Sequence, residues 1–141
     1  LTDNFKQPEM VKNNVLELLK DYLAVGIDPD KSSICLQSKL TGLLELTQYL
    51  SNLTSIESLK HNPTLKTEIA QKKINNLSFF SYPVSQAADI LAFNTDIVPV
   101  GNDQSPILEL TNKLAKYFNQ IYKKDYFKTI EAKISYCPRL K

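Results

Sequence analysis

The chain has 141 residues, 43% of them hydrophobic and 23% charged, with a formal net charge of +2. That size bounds it to about one domain with a single ordinary core, and the near balance of charge provides no polyanion-binding surface in bulk. No apolar run approaches the roughly 18 residues of a membrane span, and the only histidine, His61, with the distant Cys35 and Cys137, offers neither zinc-ligand spacing nor a Cys–His nucleophile.

The opening LTDNFKQPE lacks the apolar stretch of a secretory signal. Pro8 suits a first helical turn. In PEMVKNNVLELLKDYLAVG the residues Val11, Val15, Leu18, Leu19 and Leu23 share one face, which predicts an amphipathic helix ending at Gly26. Asp28-Pro29-Asp30 is a turn signal, and Ile34, Cys35 and Leu36 after it fit a short buried strand. TGLLELTQYLSN, over residues 40–52, reads as helix, and Thr54 with Glu57 fits a capping box for a short helix through Lys60. His61-Asn62-Pro63 breaks that helix. Pro63 opens another, PTLKTEIAQKK, polar except at Leu65 and Ile69 and so assigned to the surface.

A polar turn at Asn75-Asn76 precedes a helix carrying SYPVSQAADILAF. TDIVPVG, residues 95–101, is a second strand candidate, with Pro99 tolerable at a strand end. DQSPILELTNKLAKYFNQIYKKD predicts a long helix whose apolar side is Ile107, Leu108, Leu110, Leu114 and Phe118. AKIS is a third possible strand. Helices alternating with short strands predict an α/β domain over residues 1–141, with no internal repeat.

Two places carry chemistry. Tyr82, Gln86 and Asp89 are spaced i, i+4, i+7 and form one polar stripe on a helix, with Val84, Ala87, Ala88, Ile90, Leu91 and Phe93 around it and expected to enclose it. A carboxylate enclosed there needs a partner, either a cation or backbone donor of its own chain, or a ligand bearing an N–H or O–H. The second place is VGNDQSP, residues 100–106. Gly, short polar side chains and a helix start at the carboxyl end of a strand make a ligand position of open α/β sheets, and equally an ordinary turn and cap.

YPVSQAADI, then VPVGNDQ, and earlier NPTLKTEIAQK resemble the catalytic domain of tryptophanyl-tRNA synthetases of the bacterial kind, and the likeness runs from LTDNF through DYLAVGIDP to AKIS. The resemblance implies a partial doubly wound, Rossmann-like domain of the class I synthetases, a cytoplasmic homodimer with no membrane association, and two chemical steps. Tryptophan and ATP, with Mg²⁺ expected on the nucleotide and no metal site of the protein's own, give tryptophanyl-adenylate and pyrophosphate; the aminoacyl group then passes to tRNA(Trp). By position, Asp89 corresponds to the carboxylate that accepts the indole N–H, and Tyr82, Gln86 and Gln104 to the ammonium side and pocket wall. Gly101, Asn102 and Asp103 correspond to the ATP-side loop, and Ile134 to a position against adenine. Asn102 stands where the family more often has Glu, and Gln86 where many members have Met.

The chain contains no His-Ile-Gly-His-type motif before LTDNF and no Lys-Met-Ser-Lys-Ser loop. Both place positive charge around the reacting phosphates, so the resemblance implies an interior piece of the catalytic core, without the anticodon-binding domain and inactive alone. A tyrosyl-tRNA synthetase fragment and a non-catalytic dimerisation or binding module are the alternatives. The charged run KTEIAQKK reads first as a solvated helix face, and the Lys- and Tyr-rich NKLAKYFNQIYKKDYF as core and rim rather than a nucleic-acid surface.

Overall fold

The computed structural model of the chain describes residues 4–72 and 76–130, so the AKIS segment, Ile134 and Cys137 lie outside the described residues. Where the sequence predicts one domain, contacts divide the chain into two compact units, Leu1–Leu40 and Thr41–Lys141.

The first unit is built on α1 (Pro8–Ala24), opened by Pro8 as predicted. It stops because Gly26 adopts a φ of 91°. That turn directs the Ile27 N–H to the Tyr22 carbonyl at 3.0 Å and the Gly26 N–H to that of Leu23 at 3.1 Å, satisfying carbonyls the helix leaves open. The Asp28 carboxylate then accepts the Asp30 N–H at 2.9 Å and pairs with Lys31 Nζ at 3.0 Å. Lys31, with the Asp30 N–H, holds the Asp28 carboxyl below the usual carboxylate range. The apolar stripe of α1 forms as predicted, yet no residue of the helix is buried, and Leu18 and Leu23 are about half exposed. The strand expected at Ile34, Cys35 and Leu36 is corrected: all three are exposed, without a ladder, and a 3₁₀ turn, Gln37–Lys39, follows.

The second unit contains α2 (Thr41–Asn52), α3 (Ile56–His61), α4 (Pro63–Lys72), α5 (Leu77–Ala92) and α6 (Ser105–Tyr122). α5 packs against both α2 and α6. Leu50, Phe79, Val84, Ala87, Ala88 and Leu114 are among the buried residues that join these helices in one core. Each large apolar side chain so buried contributes about 1.5–3 kcal/mol of transfer free energy, and the alanines let neighbouring backbones approach.

Cap chemistry fixes where these helices start. The Thr54 capping box is corrected, since the Thr54 hydroxyl donates to the Leu50 carbonyl at 2.8 Å at the end of α2. Ser55 caps α3 instead, its hydroxyl oxygen accepting the Ser58 N–H at 3.1 Å. Asn62 ends α3, and its side-chain oxygen accepts the Leu65 N–H at 3.2 Å ahead of Pro63, the first residue of α4. Asn76 caps α5 by accepting the Phe79 N–H at 2.8 Å.

Among the described residues there is no strand. Residues 97–100 nonetheless keep a two-residue alternation, with Ile97 and Pro99 exposed and Val98 and Val100 turned toward the core. A strand is defined by a partner backbone, and among the described residues none pairs with this segment. After α6 the returning chain is paired in another way. Asn112 Nδ2 donates to the Ile130 carbonyl at 2.8 Å while its oxygen accepts the Ile130 N–H at 2.7 Å. Asn119 Nδ2 donates to the Phe127 carbonyl at 2.7 Å, and its oxygen accepts the N–H groups of Tyr126 and Phe127 at 3.0 and 3.1 Å. A carboxamide carries the same donor and acceptor as a peptide group, so two asparagines on α6 substitute for a neighbouring strand. Asn119→Ala strands three backbone groups, and a loss of about 1–3 kcal/mol is expected; amide exchange at Tyr126 and Phe127 should accelerate while that of Ala87 and Ala88 does not.

Candidate functional site

α5 sorts its side chains by angle. Residues advance by about 100° each, so Pro83, Val84, Ala87, Ala88 and Leu91 converge on one side, and all are buried. Tyr82, Gln86 and Asp89 fall on the opposite side, as the spacing predicts. That side should be open to water, yet all three are only half-buried. Part of the cover is the loop after residue 100: Gln86 Nε2 donates to Gln104 Oε1 at 3.4 Å, the long end of hydrogen-bond range. The enclosure expected for Asp89 is thus corrected in degree. Asp89 is half-buried, while its sequence neighbours Ala88, Ile90 and Leu91 are buried.

The loop itself is a 3₁₀ turn, Asn102–Gln104, leading into α6. Gln104 Nε2 donates to Asp103 Oδ2 at 2.7 Å, a charge-assisted bond, and the Gln104 N–H closes on the Gly101 carbonyl at 3.0 Å. Gln86, Gln104 and Asp103 therefore form one polar chain joining the two places the sequence singles out. Gly101 is required for space rather than for its dihedral angle, since its φ of −71° suits any residue. A Cβ built there would lie 2.5 Å from Asp103 Oδ1. Asn102 is exposed. A cleft of ≈ 440 Å³, within the size range of small-molecule sites, opens beside this loop between Asn102, Asp103 and Pro106 on one side and Pro63, Thr64 and Glu68 of α4 on the other.

α4 is the part that the sequence reading assigns only to the surface. Most of it is exposed, but Thr64 and Leu65 are buried, and the Thr64 hydroxyl donates to the Asp103 carbonyl at 2.6 Å. The only sequence signal for this was a threonine directly after an Asn-Pro helix start.

Residues 1–135 match the family model of tRNA synthetases class I (W and Y). The chain belongs to that family. It is similar to the tryptophan–tRNA ligases of Lactococcus lactis subsp. lactis and of Clostridium longisporum, each 49% identical over 128 residues that make up 89% of this chain and 38% of the relative. The class I synthetase likeness holds in three dimensions. Tryptophanyl-tRNA synthetase from Campylobacter jejuni, solved in complex with ADP and tryptophan, superposes with a TM-score of 0.86 at 36% identity, over 92% of this chain and 40% of that one. The enzyme from Mycoplasma pneumoniae gives 0.80 at 32% identity, over 89% and 38%. The chain thus spans about two-fifths of the length of these synthetases.

Gly101→Ala tests whether the synthetase loop is built around that close approach. The expected outcome is a folded protein, because the clash falls on the end of a side chain, with the Asp103 carboxylate turned away from Gln104. A crystal structure of the variant with the Asp103–Gln104 bond intact would contradict it.

Proposed function

We propose that this chain is part of the catalytic core of a tryptophan–tRNA ligase, with the Tyr82, Gln86, Asp89 stripe facing tryptophan and Gly101, Asn102 and Asp103 facing ATP. The observation that carries the reading is the Gln86–Gln104–Asp103 hydrogen-bond chain. Activation joins a tryptophan carboxylate oxygen to the α-phosphorus of ATP as the bond to pyrophosphate breaks, so the amino-acid and nucleotide positions must adjoin. The direct contact of Gln86, Gln104 and Asp103 supports assigning the two positions to these residues. That the Campylobacter jejuni enzyme holds ADP and tryptophan supports the same assignment.

In this reading Asp89 accepts the indole N–H, Tyr82, Gln86 and Gln104 line the ammonium side and pocket wall, and the Asp103 carboxylate accepts ribose hydroxyls. An acceptor placed for an N–H discriminates against phenylalanine, which would leave it unpaired. Ile134 belongs to the adenine side of the proposal. ATP enters with Mg²⁺ on its phosphates, which suits an ion that keeps waters and phosphate oxygens as ligands. tRNA(Trp) is the acceptor of the second step. The remaining proposals are a cytoplasmic homodimer and the Thr41–Lys141 unit as its tryptophan-binding part. The tryptophan relatives favour this reading over a tyrosyl enzyme, and the polar chain between the two positions favours it over a purely structural module.

Two measurements test the proposal. Asp89→Asn in the full-length enzyme should raise the tryptophan Kd about 10- to 100-fold, the worth of a hydrogen bond to a charged group, with folding retained; an unchanged Kd removes the role of Asp89. The 141 residues by themselves contain neither phosphate-binding motif. They should therefore give no tryptophan-dependent pyrophosphate exchange, and measurable exchange would show that the adenylation machinery lies elsewhere than assigned.

A further inference from the structure

Two buried polar side chains at the start of α4 reach across to the loop before α6. Thr64 and Asn62 are each only 8% exposed. The Thr64 hydroxyl donates to the Asp103 carbonyl at 2.6 Å, a contact between residues 39 apart in sequence. Asn62 caps α4 through its oxygen while its Nδ2 donates to the Pro106 carbonyl at 3.4 Å. The loop between these anchors holds itself by the Gln104 N–H to the Gly101 carbonyl. A three-residue 3₁₀ turn is a weak element with strained hydrogen-bond geometry. Its orientation therefore depends on what grips it from outside, and of the three outside bonds, from Thr64, Asn62 and Gln86, that of Thr64 is the shortest.

We infer that Thr64 is a positioning residue for the nucleotide side: it fixes the Asp103 backbone, and through it the carboxylate, without touching ATP. The inference rests on the reading that Asp103 faces ATP. Its consequence is that the N-terminal turn of α4 and the nucleotide loop move as one piece. A change in α4 then acts first on Asp103, the residue that Thr64 holds, while Asp89 stays on α5, which packs against α2, α3 and α6.

The test uses the full-length ligase carrying Thr64→Val, Thr64→Ser or Asp103→Asn. KM for ATP is taken from pyrophosphate exchange, tryptophan Kd from calorimetry without nucleotide, and Tm from thermal unfolding. Removing the hydroxyl in Thr64→Val should raise KM for ATP about five- to tenfold, the worth of one buried hydrogen bond, with the tryptophan Kd changed clearly less, and Thr64→Ser should restore the wild-type KM. Equal weakening toward ATP and tryptophan, or no change toward either, overturns the inference. If Thr64→Val does not fold, Thr64→Ala against Thr64→Ser makes the same comparison of hydroxyl absent and present. An Asp103→Asn enzyme with unaltered KM for ATP sinks the nucleotide reading and this inference with it. A raised KM for Asp103→Asn beside an unaltered one for Thr64→Val sinks the inference alone.

Discussion

The rest of the second unit depends on the sealing of one side of α5. Ala87 and Ala88 are fully buried and Leu91 nearly so, in the core shared with α2 and α6. Sealing that side fixes the rotation of the helix about its own axis, and with it the direction of every other side chain. Tyr82, Gln86 and Asp89 need no separate device to aim them. A helix turned by one residue, about 100°, would carry the stripe toward the apolar contacts, where an unpaired carboxylate costs several kcal/mol. The penalty against misrotation and the placement of the polar stripe are therefore the same interaction.

The loop at residues 101–104 is held by a different kind of force. It has no buried residue, so it gains little from the hydrophobic effect, and its placement comes from directed polar bonds made by Gln86 and Thr64. Such bonds are individually modest but geometrically strict, and they break when a partner moves by about an ångström. The proposed amino-acid side is thus rigid by packing, and the proposed nucleotide side is adjustable by design of its contacts.

How much of this was legible in the sequence follows from how local each interaction is. α5 and α6 were readable because their periodicity and caps lie within the segment itself, and the Tyr82, Gln86, Asp89 stripe followed from the same spacing. Asn62-Pro63 likewise gave the break between α3 and α4. Among the described residues no strand forms at 34–36, where Ile34, Cys35 and Leu36 are exposed, or at 95–101, because an apolar run does not itself supply the partner backbone that a ladder requires. Thr54 was assigned as a cap because its alternative acceptor, the Leu50 carbonyl, becomes available only once α2 has formed. Thr64 and Asp103, and Asn112 and Ile130, are pairs whose members lie 39 and 18 residues apart. Nothing in the local pattern of either partner announces the other.

The same distinction between local and non-local bonds explains why a chain that covers two-fifths of its relatives superposes on them so closely. Helical hydrogen bonds close within four residues, so α2, α5 and α6 carry their backbone satisfaction with them and bury their apolar sides in a core that Leu59 of α3, Leu65 of α4 and Ile130 complete. A sheet strand carries half of its hydrogen bonds and depends on a neighbour for the rest. The α6 asparagines meet such a deficit with side-chain amides that pair with the backbone of residues 126, 127 and 130. Residues on helices therefore hold their positions through helix-to-helix packing alone, and this is the group to which Tyr82, Gln86 and Asp89 belong. The loop residues Gly101, Asn102 and Asp103 depend on the polar bonds that grip the loop, which is why the start of α4, across the cleft from them, matters to their placement.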